Sequence, residues 1–510
     1  MEGQLFLLIP VLLPVLAGLL AGTLPFLRER KPLRLWTGCF LLISSGCMLW
    51  AAWKMPGESL LLWHLTDTIP IRLSLDSLSR FFLALVGIMW PLAGFYSFEY
   101  MDHEKEEHRF QAFYLATQGI LTGLTMAENL VTFYLFYEAM TLITLPLVLH
   151  TRTREAVAAA VKYLIYSVFG ASAALLGIFY LHQVCGSLSF IPGGTLNPAE
   201  GRNGTLLWIV FAMILGFGTK AGMFPLHGWL PTAHPVAPAP ASAVLSGVIT
   251  KMGVLGVTRV VYYCVGADAL RGTWVQTAWM TLALITVFMG SMLALKEDLF
   301  KKRLAYSSVS QVSYVLFGLS TLTAVGLQGA LLHVVFHSAI KITLFMTAGV
   351  VICKTGMTHV SELKNLGKRM PLILVLFTLV SLGLIGIPPT GGFISKWYIA
   401  SGAMELPSAF AFAGPAVLLI SAILTAAYLL TITIQGFFPG KAAGHGAEKK
   451  EPEHGSAHGE EPEASVRESR VPVGPLMWVP MLLLTLLVVL GGMFPGRLIS
   501  FFSAIAAAIL

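Results

Sequence analysis

Long uncharged apolar stretches recur along nearly the whole chain, and short polar segments between them carry most of the charge. About 20 apolar residues in a helix cross a bilayer. Fourteen such spans can be marked: 4–26, 35–53, 77–98, 110–127, 129–149, 156–182, 205–231, 238–263, 274–295, 303–320, 325–353, 371–404, 411–438 and 474–494. A short apolar tail, Ile499–Leu510, follows the last. The pattern predicts an all-α polytopic membrane protein of about fourteen transmembrane helices. The first stretch, Leu5–Phe26, lacks a basic n-region and is too long for a signal-peptide core, so it reads as the first span.

The distribution of Lys and Arg tests this count. With both termini outside, twenty-one basic residues fall in inner loops and six in outer ones: Lys54, Arg72, Arg80, Arg202, Arg271 and Arg497. A wrong count would scramble so strong an asymmetry. Both termini outside, and an even number of spans, follow from it. The segment 440–470 is rich in Glu, Lys, Gly and Pro and is expected to be a disordered, solvated inner loop. Its His445, His454 and His458 are too loosely spaced to argue for a metal site.

Length alone would suggest three or four soluble domains. Composition excludes that, because only 12% of residues are charged, about half the usual share, and 56% are apolar. Nucleic-acid binding is excluded too, since the net charge of +7 comes from loops rather than a basic domain. The five cysteines show no C-x-x-C spacing and are expected to be small buried hydrophobes rather than ligands of a cluster or haem. No metal and no cofactor is expected.

Two spans are interrupted. One reads GFGTKAGMFP from Gly216 to Pro225, and the other GIPPTGGFISK from Gly386 to Lys396. Proline removes a backbone donor, so both helices should break in mid-membrane, around Pro225 and around Gly386, Pro388, Pro389 and Gly391. They are the seventh and twelfth spans. Interrupted helices at corresponding positions point to inverted repeats, here spans 4–8 and 9–13. The expected organisation is 1–109 for the first three spans, 110–263 and 274–438 for two five-helix repeats, 439–473 for the charged loop, and 474–510 for the last span and tail.

Five ionisable residues fall inside spans with no easy route to an interface: Glu138, Lys220, Lys251, Lys341 and Lys396. Arg259 and Lys162 lie nearer span ends and are expected to snorkel. A charge at the bilayer centre costs at least ~2.5–3.5 kcal/mol, so the five must face the bundle interior. One carboxylate cannot pair with four lysines, and the surplus argues for a hydrated, titrating path. His333, His337 and Lys341 follow at i, i+4, i+8, which places them on one helix face. Imidazole can donate and accept at its two nitrogens, which suits a proton relay. Lysines repel sodium, so the chemistry favours protons. Moving Glu138 toward or away from Lys220 would load or release a proton.

These motifs resemble the antiporter-like subunits shared by respiratory complex I, membrane-bound (group 4) hydrogenases and Mrp-type sodium/proton antiporters. The likeness is carried by Tyr137-Glu138, by KAGMFPLHGWLPTAHPVAPAP from Lys220 to Pro240, and by SGVITK from Ser246 to Lys251. It continues in LFKKRLAYSSVSQ from Leu299 to Gln311, in His333-x-x-x-His337-x-x-x-Lys341, and in Gly386–Lys396. It implies a coupling ion pair of Glu138 and Lys220, a central relay of Lys251 and the His333–Lys341 face, and Lys396 as the terminal group. Some family members carry Glu at that last position, so a Glu-specific exit does not transfer. Only sixteen residues follow the last span, and a subunit with a long lateral helix is not expected.

The resemblance implies a proton-translocating subunit of a redox-driven complex, with no redox centre in this chain. Its partners would be other membrane subunits, homologous antiporter-like subunits among them, a peripheral iron–sulfur arm and lipid, in a prokaryotic-type inner membrane. An Mrp-type antiporter subunit without a redox partner is the alternative. A non-conducting scaffold is the second, and the lysine surplus argues against it.

Overall fold

The computed structural model describes residues 2–196, 203–438 and 470–510. Most of them are helical. In chain order the main elements are α1 (Ile9–Thr23), α2 (Arg30–Lys54), a hairpin of β1 (Ser59–Thr66) and β2 (Ile69–Ser74), α3 (Ser77–Tyr100), α4 (Glu107–Thr125), α5 (Leu130–Val148) and α6 (Arg154–Cys185). Then come α7 (Gly204–Ala221), α8 (Leu230–Val236), α9 (Ala239–Val265), α10 (Trp274–Lys296), α11 (Phe300–Ser320) and α12 (Ala324–Thr355). The chain continues through α13 (Pro371–Ile385), α14 (Gly391–Met404), α15 (Phe410–Phe437), α16 (Pro475–Met493) and α17 (Gly496–Ile509).

Among the described residues, eleven helices are long and apolar enough to cross a membrane. The protein is a multi-pass integral membrane protein. Three marked spans fall outside those eleven, and each has a physical reason. α4 buries Gln111, Thr117, Gln118 and Thr122, and α11 buries Ser307, Ser308, Ser310, Gln311 and Ser313. Those polar interior faces lower their mean hydropathy. The third marked span is divided into α13 and α14.

The bundle is inside-out by soluble standards. α9 and most of α12 are buried, whereas outer helices present large apolar side chains such as Leu35, Trp53 and Phe412. Only hydrocarbon makes that arrangement favourable. α12 is surrounded by α3, α9, α11, α13, α14, α16 and α17. Side-chain caps start several helices: Asp76 on α3, Asn129 on α5, Thr153 on α6 and Thr323 on α12.

The hairpin is the exception to the helical pattern and was not expected from the sequence. Its strands pair from Ser59↔Ser74 to Thr66↔Ile69, and Asn129 Nδ2 anchors it by donating to Pro70 O at 2.7 Å. The cysteine expectation needs correction. Cys264 is buried, but Cys39 is exposed and Cys47, Cys185 and Cys353 are partly so, because outer helix faces are covered by no other helix of this chain. The charged loop expected at 440–470 lies outside the described residues, apart from Arg470.

Candidate functional site

The first buried cation sits where α7 ends. Gly222 adopts φ +79°, and a Cβ there would lie 2.3 Å from Leu230 Cδ1. The chain can stop and turn at that point only with glycine. Residues 222–229 form the break, with a cis Phe224–Pro225 bond, and Trp229 Nε1 ties it back to Thr219 O at 2.8 Å. Lys220, in the last turn of α7, donates to Thr141 Oγ1 at 2.9 Å and to Tyr163 OH and Ser167 Oγ at 2.8 Å. All three ammonium protons are thereby used. The Tyr163 ring centroid lies 4.2 Å from Nζ.

Glu138 is one turn before Thr141 on α5 and is half-buried. The resemblance implied a direct pair with Lys220. The two residues feel each other electrostatically, but no contact within 4.0 Å joins them. Neutral hydroxyls from α5 and α6 fill the lysine's donor capacity instead.

The second break lies between α13 and α14. Gly386 has φ +93°, and Pro388–Pro389 is cis. Gly391 belongs to the first turn of α14 rather than to the break, and a Cβ there would lie 2.2 Å from Phe336 Cε1. Lys396 on α14 reaches back to the last carbonyls of α13, Leu384 O at 2.5 Å and Ile385 O at 3.1 Å. Those carbonyls have no intrahelical partner and form the negative end of the helix dipole, so they suit an ammonium.

Between the breaks lies a continuous polar seam. Lys251 on α9 donates to Ser246 O at 2.5 Å, beside a π-helical turn at Leu245–Ile249. Ser246 Oγ meets Ser308 Oγ of α11 at 2.6 Å. Lys341 on α12 donates to Ser307 Oγ at 2.6 Å and Leu304 O at 3.1 Å, and Tyr428 OH reaches Ser307 Oγ at 2.9 Å. One turn before Lys341, His337 stacks on His333 at 5.7 Å, and His333 stacks on Tyr314 at 5.7 Å. His333 Nδ1 is 2.9 Å from Ser395 Oγ, next to Lys396. His337 lies within electrostatic reach of Lys251, His333, Lys341 and Lys396. The structure thus brings these five residues together. Lys220 stands apart from that group, although its Cβ lies 2.9 Å from where a Cβ of Gly253 on α9 would be, two residues from Lys251.

Several polar residues of the site were not singled out from the sequence. His234 is fully buried, stacks on Phe345 at 4.6 Å, and lies within electrostatic reach of Lys251, Lys301 and Lys341. Among the described residues neither of its ring nitrogens has a protein partner, and the same holds for His337 and for the amide of Gln311. The signal was available in the serines and glutamine that interrupt α11. Two expectations are corrected. Arg259 does not snorkel but is buried, paired with Asp76 and bonded to Ser79 Oγ at 2.8 Å. Lys162 donates to Thr232 Oγ1 at 3.0 Å, so it ties α6 to α8 rather than reaching for an interface. Among the described residues no group of three His, Cys, Asp or Glu could hold a metal ion.

Residues 127–434 match the family model described as NADH:quinone oxidoreductase/Mrp antiporter, TM, and residues 63–111 match that of the complex I chain 5 N-terminus. The chain is 33% identical over 434 residues to NADH-quinone oxidoreductase subunit N of Desulforudis audaxviator, covering 84% of this chain and 83% of that protein. It is 32% identical over 345 residues to Hydrogenase-4 component B of Escherichia coli, covering 64% of this chain and 50% of that longer protein. A chain in the structure of the Mrp complex from Dietzia sp. superposes with a TM-score of 0.82 at 22% identity, covering 100% of this chain and 98% of that one.

Proposed function

Since the chain belongs to the NADH:quinone oxidoreductase/Mrp antiporter transmembrane family, we propose that it is a proton-translocating membrane subunit of a redox-driven complex. Protons would pass along Lys220, Lys251, His337, Lys341, His333 and Lys396, with His234 and Glu138 flanking the entry half. One observation carries the reading: the buried lysines are served by hydroxyls and carbonyls, not by carboxylates. A carboxylate partner would fix each charge in place. A hydroxyl accepts a proton's bond on one side and donates on the other, so the charge can move on.

The orphaned nitrogens of His234 and His337 support the same path. A buried polar atom without a partner costs about 1–3 kcal/mol, and water is the partner that removes this cost while conducting protons. Sodium would need an oxygen cage and would meet a row of ammonium groups.

This reading takes the organisation into two five-helix repeats, 110–263 and 274–438, each holding one broken helix. It places the chain in a prokaryotic-type inner membrane with both termini outside, beside homologous antiporter-like subunits, with an iron–sulfur arm as electron source. The Mrp-type reading is the alternative, since the description of the matching family model names both groups. Affinity purification from native membranes separates the two. Iron–sulfur partners support the redox reading, and small antiporter subunits alone support the other. Proton uptake by vesicles carrying assembled His337→Leu should fall to baseline. Wild-type uptake would refute the relay.

A further inference from the structure

A cavity of about 510 Å³ opens between α2, α3, α16 and α17. Fifteen residues line it, and Arg80 is the one charged residue among them. Its walls are apolar, from Leu49 on α2 to Phe502 on α17, and it reaches inward to Val335, which lies on α12 between His333 and His337. The relay helix therefore has a hole on its flank that no part of the described chain fills.

The mouth is positive. Arg80 Nε donates to Ala52 O at 2.5 Å, and the other guanidinium nitrogens make no hydrogen bond among the described residues. Lys54 follows the lining residue Trp53 and lies over its ring at 4.2 Å, and Arg497 precedes the lining residue Leu498. All three belong to the small set of cations that the charge asymmetry assigns to the outer side. In that set Arg72 faces Glu128 and Arg271 faces Asp268. Arg202 lies outside the described residues. Lys54, Arg80 and Arg497 have no carboxylate within 4.0 Å among the described residues. Of these outer cations Arg80 lines the cavity, and Lys54 and Arg497 each adjoin in sequence a residue that does. Trp53, highly exposed at the end of α2, is the residue type that marks a membrane–water interface.

We propose that this cavity is a binding site for an anionic phospholipid, with one acyl chain against α12 and the phosphate held by Arg80, Lys54 and Arg497. A hydrocarbon chain ending in a negative head matches both the apolar walls and the unpaired cations. Seated there, it would close the outer flank of α12 at the level of the two histidines.

The test uses the full chain purified in neutral detergent, with phosphatidylglycerol and phosphatidylcholine supplied at equal concentration and the retained lipid measured by native mass spectrometry. A cation near an anionic surface contributes about fivefold in affinity. Phosphatidylglycerol should be retained at least tenfold over phosphatidylcholine. Arg80→Gln should lower phosphatidylglycerol retention about fivefold and leave phosphatidylcholine unchanged. Ala84→Trp, which narrows the cavity, should lower retention of both, and Arg72→Gln should change neither. Equal retention of the two lipids would overturn the proposal, as would wild-type retention in both Arg80→Gln and Ala84→Trp. A photo-crosslinker at Leu49 that captures a protein subunit rather than lipid in the native complex would overturn it as well.

Discussion

Removing one hydroxyl from around Lys220 tests whether that ammonium is a mobile charge held by neutral groups. In Tyr163→Phe the ring face remains beneath Nζ, but the acceptor at 2.8 Å is lost. A hydrogen bond to a charged group contributes about 1.5–3 kcal/mol. At about 1.4 kcal/mol per tenfold, the charged lysine becomes roughly 10–150 times harder to populate. Tyr163 OH also meets Thr144 Oγ1 at 2.7 Å, but Thr144 keeps its bond to Met140 O, so the local fold is preserved. Ser167→Ala removes a second acceptor and should deepen the defect. Lys220→Met should abolish transport outright. Inverted membrane vesicles containing the assembled complex can be followed with a ΔpH-quenched dye. The expected ranking of rates is wild type, then either single hydroxyl variant, then the double, then Lys220→Met. A fully assembled Tyr163→Phe, Ser167→Ala double variant pumping at the wild-type rate would refute the reasoning.

His150 lies in the turn after α5, where burial, with help from Arg109, pushes its imidazole down to about 4 despite a bond to Lys105 O. The unfolded chain takes up a proton near pH 6.5, before the folded one does. Thermal stability in detergent should therefore be flat above pH 6.5 and fall as pH drops toward 4, and His150→Gln should flatten that slope. Asp76→Asn should lower the melting temperature and leave less assembled protein, because it strips the buried Arg259 of the half-buried carboxylate that pairs with it and leaves that charge uncompensated. The companion variant Arg259→Gln/Asp76→Asn should recover part of the loss, as a double-mutant cycle would register. Gly222→Ala should destabilise the turn after α7, read as lower yield and melting temperature, because its φ is +79° and Leu230 occupies the space.

Eleven of the fourteen spans and both helix breaks were legible because apolar runs and Gly/Pro interruptions are local properties of sequence. That Lys220, Lys251, His333, His337, Lys341 and Lys396 sit inside the bundle was legible for a related reason, since an ionisable group in an apolar run is conspicuous. Their partners were not. Lys220 is satisfied by side chains 53, 57 and 79 residues away, and Arg259 by one 183 residues away. Nothing local marks Thr141 or Ser167 as different from other helix hydroxyls. The resemblance implies a Glu138–Lys220 pair, and hydroxyl acceptors for Lys220 are not marked in the sequence. Three hydroxyls make it unnecessary as a direct contact. The hairpin at 59–74 escaped because β1, SLLLWHLT, lacks the alternation that marks a strand and is too short to mark a span. His234 lay within a quoted motif, but only the packing on Phe345 and the nearby lysines reveal its place.

In the proposed relay Lys251 links the two halves: Gly253, two residues on, packs against the end of α7 at Ala221 N, and Lys251 lies within electrostatic reach of His337 and Lys341. Proton translocation by the assembled complex carrying Lys251→Met is the most direct measurement of the proposed relay. The account predicts uptake at baseline with subunit content unchanged. Translocation at the wild-type rate would contradict it.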